Sequence, residues 1–313
     1  MKTLTCLLAA SALALAPVAA FAKIVRTVER TFTVQPGGRL TALTEGGNIT
    51  IETADTNEVR VLAKQTLRTD SEAEADKILQ DLALRIEQQG SDVVAEAKYA
   101  RERRGAFWKN WPPVSVDLTI TVPRHYNLGL TTSGGDVRVA SVRGDVKART
   151  SGGNLKFDRV DGDLEGRTSG GDISLNEGTA RTKLHTSGGN VTVRAARGPA
   201  EISTSGGDIR IDGVTQLVSA TTSGGNVRAV LTGPIKHDTV LSTSGGNVVV
   251  RVAKDAGFNL DARTSGGNVR AGGLTLKLAD GGVGKSRLAG EVNGGGPQLK
   301  LRTSGGNITL ETE

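Results

Sequence analysis

Apolar positions in the second half of this chain fall into columns. One column reads Val137, Leu155, Ile173, Val191, Ile209, Val227, Val248, Val269 and Ile308. Two residues further on, a second reads Val139, Phe157, Leu175, Val193, Ile211, Ala229, Val250, Ala271 and Leu310. Between them lies a mostly polar column of Arg138, Lys156, Ser174, Thr192, Arg210, Arg228 and Arg270. This in–out–in alternation is the period-2 signature of a half-buried strand. A second strand precedes each of these, with Ala148, Leu184, Ile202 and Leu241 in one inward column and Val146, Leu164, Val218 and Leu260 two residues earlier.

The punctuation between strands is Thr-Ser-Gly-Gly. It occurs nine times, starting at Thr132, Thr150, Thr168, Thr186, Thr204, Thr222, Thr243, Thr264 and Thr303, and each copy is followed by Asn or Asp. The first six copies are eighteen residues apart, the next two intervals are twenty-one, and the last is thirty-nine. A fixed period of this size identifies a repeat architecture. One period holds two short strands and two turns, which makes one flattened coil. Stacked coils place strand on strand at roughly 4.8 Å. The expected fold class is all-β, a parallel β-helix or solenoid with 18–21-residue coils.

The glycine pair predicts a corner that needs positive φ, which glycine reaches without a Cβ clash. Stacked Thr, Ser and Asn side chains are expected to hydrogen-bond between coils. The Asx column runs Asp136, Asn154, Asp172, Asn190, Asp208, Asn226, so carboxylates stand on every second coil with a neutral amide between. Adjacent stacked carboxylates repel, and the alternation avoids them.

Residues 23–130 are less regular and read as irregular coils plus a cap, followed by the repeat proper over 131–313. Thr44-Glu45-Gly46-Gly47-Asn48-Ile49-Thr50-Ile51 is a variant copy of the repeat. Asp70 or Ser71 is placed to cap a short helix running to about Leu82, with Ala75, Ile78 and Leu79 on one face. Leu84, Ile86, the turn Gly90-Ser91-Asp92 and Val93-Val94 predict a hairpin. Val114, Val116, Leu118, Ile120 and Val122 alternate strictly up to Pro123. A solenoid needs its open end covered against edge-to-edge association, and the helix and hairpin are the candidates.

Residues 1–22 carry one charge, Lys2, then an apolar run ending Ala20-Phe21-Ala22. That is the pattern of a secretory signal peptide, cleaved before Lys23. Cys6 is the sole cysteine and lies inside it, so the mature chain offers neither a disulfide nor a thiolate metal site. Thirty-nine basic against 33 acidic side chains give a net charge of +6. That is too mild to suggest a nucleic-acid partner. No later segment has the apolar length of a membrane helix. The expected location is periplasmic or extracellular.

The leader, the opening Thr31-Phe32-Thr33-Val34 to Pro36-Gly37-Gly38, the strand end Ile120-Thr121-Val122-Pro123 and the Ser-Gly-Gly-Asn/Asp-Val runs together resemble the putative-adhesin family of exported bacterial β-helix proteins, a domain of unknown function. The resemblance spans nearly the whole mature chain. It implies a repetitive β-fold and export, and it carries no catalytic motif onto any residue here.

Several motifs have simpler explanations than the chemistry they imitate. Ala279 to Ser286 lacks the first glycine of a phosphate-binding loop and should follow no strand–helix pattern. Arg143-Gly144-Asp145 spells a receptor tripeptide, but Gly-Asp recurs as Gly162-Asp163 one period later, so a turn accounts for it. His125, His185 and His237 have no ligand spacing, and no metal or cofactor is expected. Parallel β-helices also host polysaccharide-active enzymes. Yet Asp136, Asp172 and Asp208 are too regular to look catalytic, and Phe157 and Phe258 leave little to stack on sugars.

Two features exceed scaffold. The outward basic column of Arg138, Lys156, Arg210, Arg228 and Arg270, joined on the other strand by Arg149, Arg167, Arg263 and Arg302, would form stripes suited to phosphates or carboxylates of an envelope polymer. The segment Arg101 to Trp111 gathers Arg104, Phe107, Trp108 and Trp111 in one loop. It reads either as an interface or as a cover for the end of the core. The function expected is therefore a non-enzymatic, adhesin-like solenoid that binds or scaffolds at the cell envelope. An anionic glycan, a lipid or a protein is its partner, and a polysaccharide-active enzyme is the alternative.

Overall fold

The computed structural model describes residues 23–99 and 114–313. The predicted leader, with Cys6, and the Arg101–Trp111 segment lie outside them. The described residues form twenty-six strands, all joined in one sheet, and one helix. The fold is all-β and solenoid-like.

The predicted columns pair in register. Val137 lies beside Leu155, Leu155 beside Ile173, Ile173 beside Val191 and Val191 beside Ile209, all in parallel strands. The preceding strands stack likewise, from Leu128 through Val146 and Leu164 to Thr182. A third, shorter ladder also runs through the stack: Val142, Val160, Gly178, Ala196 and Val214. Two strands per period are therefore an undercount. The third column has one glycine, alanine or valine per rung, too little for alternation to reveal it. Inward side chains of the three ladders are buried along the stack, including Phe157 and Phe258. A register shift brings Leu217 rather than Val218 beside Ala200 and into the core, and on the end rung Val269 is half-buried and Ala271 exposed. Phe157 fits because Gly166 lies opposite, where an added Cβ would come within 3.2 Å of its ring.

Spatial order departs from chain order at both ends. Strand Arg39–Thr44 lies between Asp92–Tyr99 and Asn127–Thr132, and Ile49–Ala54 lies between Val114–Pro123 and Val137–Val139. The variant repeat at Thr44 is thus an internal rung of the stack. At the other end Ile308–Thr312 pairs with Val248–Val252 on one side and Val269–Ala271 on the other. The last repeat in the sequence is inserted between the two before it. That accounts for the thirty-nine-residue interval: residues between Thr264 and Thr303 leave the stack and return.

Beyond each outermost rung the pairing changes to antiparallel. Leu82–Gln89 lies on Asp92–Tyr99, Glu58–Leu67 on Val114–Pro123, and Ile24–Thr33 on Glu58–Leu67. Helix Glu72–Gln80 begins at Ser71, whose hydroxyl accepts the Glu74 N–H. It is tied to the strand Ile24–Thr33 by Arg26, 2.8 Å from both Glu72 and Asp76. At the far end Arg287–Val292 lies antiparallel on Phe258–Thr264 and carries Leu276–Gly284 in turn.

The Thr-Ser-Gly-Gly corner differs from expectation. None of its glycines has positive φ; the positive-φ glycines are elsewhere, Gly144 and Gly233 among them. The second glycine is required by proximity. A Cβ on Gly153 would lie 1.9 Å from the Gly135 carbonyl oxygen, and one on Gly207 2.1 Å from that of Gly189. The first glycine has room at Gly152, with 3.7 Å, and less further along the stack, with 3.2 Å at Gly206 and 2.9 Å at Gly224. Successive corners stack backbone on backbone, and any side chain at the second glycine would wedge them apart.

Candidate functional site

The corner generates two side-chain ladders. In the first, the buried Thr204 hydroxyl donates to the Gly189 carbonyl of the rung below at 2.8 Å and accepts its own Gly207 N–H at 3.4 Å. Thr150, Thr168, Thr186 and Thr222 repeat the donor bond. Serine, expected to join through its side chain, contributes its backbone instead: Ser151 N–H reaches the Ser133 carbonyl at 3.1 Å.

In the second ladder each Asx oxygen accepts the backbone N–H of the next Asx. Asn154 N–H donates to Asp136 Oδ1 at 2.9 Å, Asp172 to Asn154 at 2.8 Å and Asn190 to Asp172 at 2.7 Å. Where the upper member is Asn its amide also reaches the carboxylate below, as from Asn190 Nδ2 to Asp172 Oδ1 at 3.3 Å. The inserted rung keeps the alternation in space, because Asn48 donates to Asp117 and Asp136 donates to Asn48. Sequence order conceals this, since Asp117 follows Asn48 in the chain.

Residues i and i+2 of a strand share a face, so the Asx corner and the outward polar column lie side by side. They enclose an open groove of about 580 Å³ that runs along the stack from Asp136 and Arg138 to Asp208 and Arg210. Asp172, Ser174, Asn190 and Thr192 line its middle. Sequence reasoning named the Asp series and the basic column separately. The two-residue offset between Asp136 and Arg138 was the signal that joins them.

The basic column itself is broken. Lys156 pairs beside Arg138 and Arg210 beside Arg228, but Ser174 and Thr192 separate the two pairs. Val249 and Thr309 stand between Arg228 and Arg270. Arg138 is bound to Asp136 at 3.0 Å and Arg210 to Asp212 at 2.9 Å. Within the groove Asp136, Asp172 and Asp208 balance Arg138, Lys156 and Arg210.

On the other strand one carboxylate is shared by several cations, which leaves an excess of positive charge. Glu165 sits 3.1 Å from Arg149, 2.9 Å from Arg167 and 3.5 Å from Lys147. Burial pushes its carboxyl up, but the hydrogen bond from Arg149 and the charges of Lys147 and Arg167 outweigh that and hold it below the usual range. Asp261 shows the same balance. Burial raises it, and Arg302 with Arg263 brings it lower still. Of the remaining candidates, Arg104, Phe107, Trp108 and Trp111 lie outside the described residues.

No group of three or more His, Cys, Asp or Glu side chains among the described residues is placed to hold a metal ion. His185 hydrogen-bonds Ser203 at 2.8 Å. Asp145 of the receptor-like tripeptide belongs to a second Asx ladder on another corner, donating to Asn127 Oδ1 at 3.0 Å and accepting from Asp163 at 2.9 Å. Val283 and Gly284 of the phosphate-loop imitation end a strand that turns into the next strand of a hairpin. No helix among the described residues is long and apolar enough to cross a membrane.

This stacked, corner-glycine β-architecture has a family counterpart. Residues 39–311 match the family described as Toastrack DUF4097, and the chain belongs to it. Among solved structures, a putative adhesin from Parabacteroides distasonis ATCC 8503 is 13% identical, covering 92% of this chain and 97% of that one, with a TM-score of 0.45. A putative adhesin from Bacteroides fragilis NCTC 9343 is 15% identical over 92% and 97%, TM-score 0.39. A putative lipid binding protein from Parabacteroides distasonis ATCC 8503 is 12% identical over 91% and 96%, TM-score 0.40. No curated protein matches.

Proposed function

We propose that this chain is an exported, non-enzymatic, adhesin-like parallel β-helix of 18–21-residue coils that binds or scaffolds at the bacterial cell envelope. In this reading residues 1–22 are a cleaved signal peptide, 23–130 supply the first rungs and their cap, and 131–313 present the repetitive face. The observation that carries it is the groove between the Asx corner and the outward column, which repeats the same polar geometry from rung to rung. A one-dimensional, periodic groove suits an extended polymer better than a compact substrate. The exposed cations Lys156 and Arg228 and the Arg101–Trp111 segment add contacts toward an anionic glycan or lipid.

Sedimentation of residues 23–313 with isolated envelope polymers and with anionic vesicles, over a salt series, tests this reading. Co-sedimentation with a polymer supports it. Release of soluble sugar product from the same polymers would instead establish the enzyme, and no association with any of them removes the binding role.

A further inference from the structure

The middle of the groove contains hydrogen-bonding groups that the protein itself does not use. Asp172 and Asp208 each commit Oδ1 to the ladder, receiving the backbone and amide N–H groups of Asn190 and Asn226. Their Oδ2 atoms make no hydrogen bond or ion pair among the described residues, unlike Asp136, whose Oδ2 holds Arg138. Asn190 Nδ2 carries two hydrogens and directs one to Asp172. Ser174 and Thr192 line the same stretch, and their hydroxyls also make no hydrogen bond among the described residues. Ascending the stack, the uncommitted groups are an acceptor, a donor and an acceptor.

The two free carboxylate oxygens belong to rungs roughly 9.6 Å apart, twice the strand spacing. An extended peptide would repeat its own donors and acceptors every two residues, roughly 6.6 Å, and would fall out of step within one period. A β-1,4-linked glycan does not. Each ring advances the chain by about one strand spacing, roughly 5 Å, and successive rings turn over, so one edge recurs on every second sugar. Carboxylate oxygens accept from sugar hydroxyls, and the Asn190 amide donates to a hydroxyl or ring oxygen on the intervening sugar. The groove's carboxylates and cations cancel, so fixed charge does not select a polyanion here.

We propose that the groove centred on Asp172, Asn190 and Asp208 binds a linear, uncharged β-1,4-linked glycan lying along the stack, one sugar per rung. This rests on the envelope-binding reading above and specifies its ligand class. Because the oxygens that contact the glycan are not those that hold the ladder, Asp172→Asn and Asp208→Asn keep the Oδ1 acceptors and the fold.

The test is calorimetric titration of residues 23–313 with cellohexaose and chitohexaose, and with polygalacturonate as the charged comparison. Expected are binding of a neutral oligosaccharide that changes less than about threefold with salt, since no net charge is screened, and at least a tenfold loss in the Asp172→Asn/Asp208→Asn double variant. Asp145→Asn, on the other corner, should bind as the unsubstituted protein does. Binding of polygalacturonate alone, or a double variant with unchanged affinity and an unchanged circular dichroism spectrum, overturns this inference and leaves the envelope-binding reading standing. If these three ligands and the isolated envelope polymers all fail to bind, that reading falls and the inference with it.

Discussion

The Thr303 hydroxyl donates to the carbonyl of Gly246 at 2.7 Å, although fifty-seven residues separate them. Gly306, three residues further on, receives the Thr264 hydroxyl at 2.8 Å. The final repeat therefore bonds on both sides to repeats that precede it, and it is the piece that joins the Thr243 rung to the Thr264 rung.

Deleting residues 298–313 is accordingly expected to act far inside the molecule. Loss of an ordinary frayed end leaves Tm nearly unchanged, whereas this deletion removes a fully paired rung and should lower Tm by more than about 10 °C or prevent folding. Thermal melting by circular dichroism decides; a shift of about 2 °C would show that the inserted rung is dispensable.

The two glycines of one corner should respond oppositely. Gly153→Ala forces a methyl to 1.9 Å from a carbonyl oxygen and should cost more than about 4 kcal/mol, whereas Gly152→Ala, in ordinary contact at 3.7 Å, should stay within about 1 kcal/mol. Urea unfolding of the two variants measures this, and equal costs would refute the backbone-stacking account.

Much of the architecture was legible from alternation, because inward and outward columns must differ wherever a strand has one wet face. Helix Glu72–Gln80, the hairpin and the strand ending at Pro123 were readable for the same local reasons. Three things were not. Rung order depends on long-range pairing of Ile308 with Val248 and Val269, which no local pattern encodes. Positive φ at the corner was a plausible motive for Gly153, but only the neighbouring backbone of Gly135 reveals the actual one. The groove needed Asp172 and Ser174 to be seen side by side, and column-by-column reading separated them.

The buried threonine ladder should be intolerant of isosteric loss of its hydroxyl. Thr204→Val keeps the shape but strands the Gly207 N–H, and should cost about 1–3 kcal/mol, with Thr204→Ser much closer to the original. Chemical denaturation gives both values, and a neutral Thr204→Val would mean the ladder contributes no stability.

Asn190→Asp places three carboxylates on successive rungs and removes the amide bond to Asp172. It should cost about 1–3 kcal/mol near neutral pH. The charge part of that penalty disappears as the carboxylates are protonated, so the gap to the unsubstituted protein narrows in acid. A pH series of melting temperatures checks the narrowing; a constant gap would exclude repulsion as the cause.

Glu165 and Asp261 titrate below their ordinary values of 4.5 and 3.8. Groups depressed on folding bind more protons when unfolded, so their contribution is complete above those ordinary values and drains away as pH falls through the depressed ones. Glu165→Gln should therefore lower Tm at pH 7, and that loss should shrink as pH falls below 4.5. The reverse pattern would show that burial prevails over the Arg149, Lys147 and Arg167 contacts.

The alternation of Asp and Asn bears on how a repeat of this kind can change its length. Losing one eighteen-residue unit, such as the one carrying Asn190, would set Asp172 directly beneath Asp208, whereas losing that unit together with the next would set it beneath Asn226. Between Asp117 and Asn226 the stack has a parity. Duplications and deletions of two units keep it, whereas an odd step stacks one carboxylate on another, an arrangement the second ladder already carries at Asp145 and Asp163.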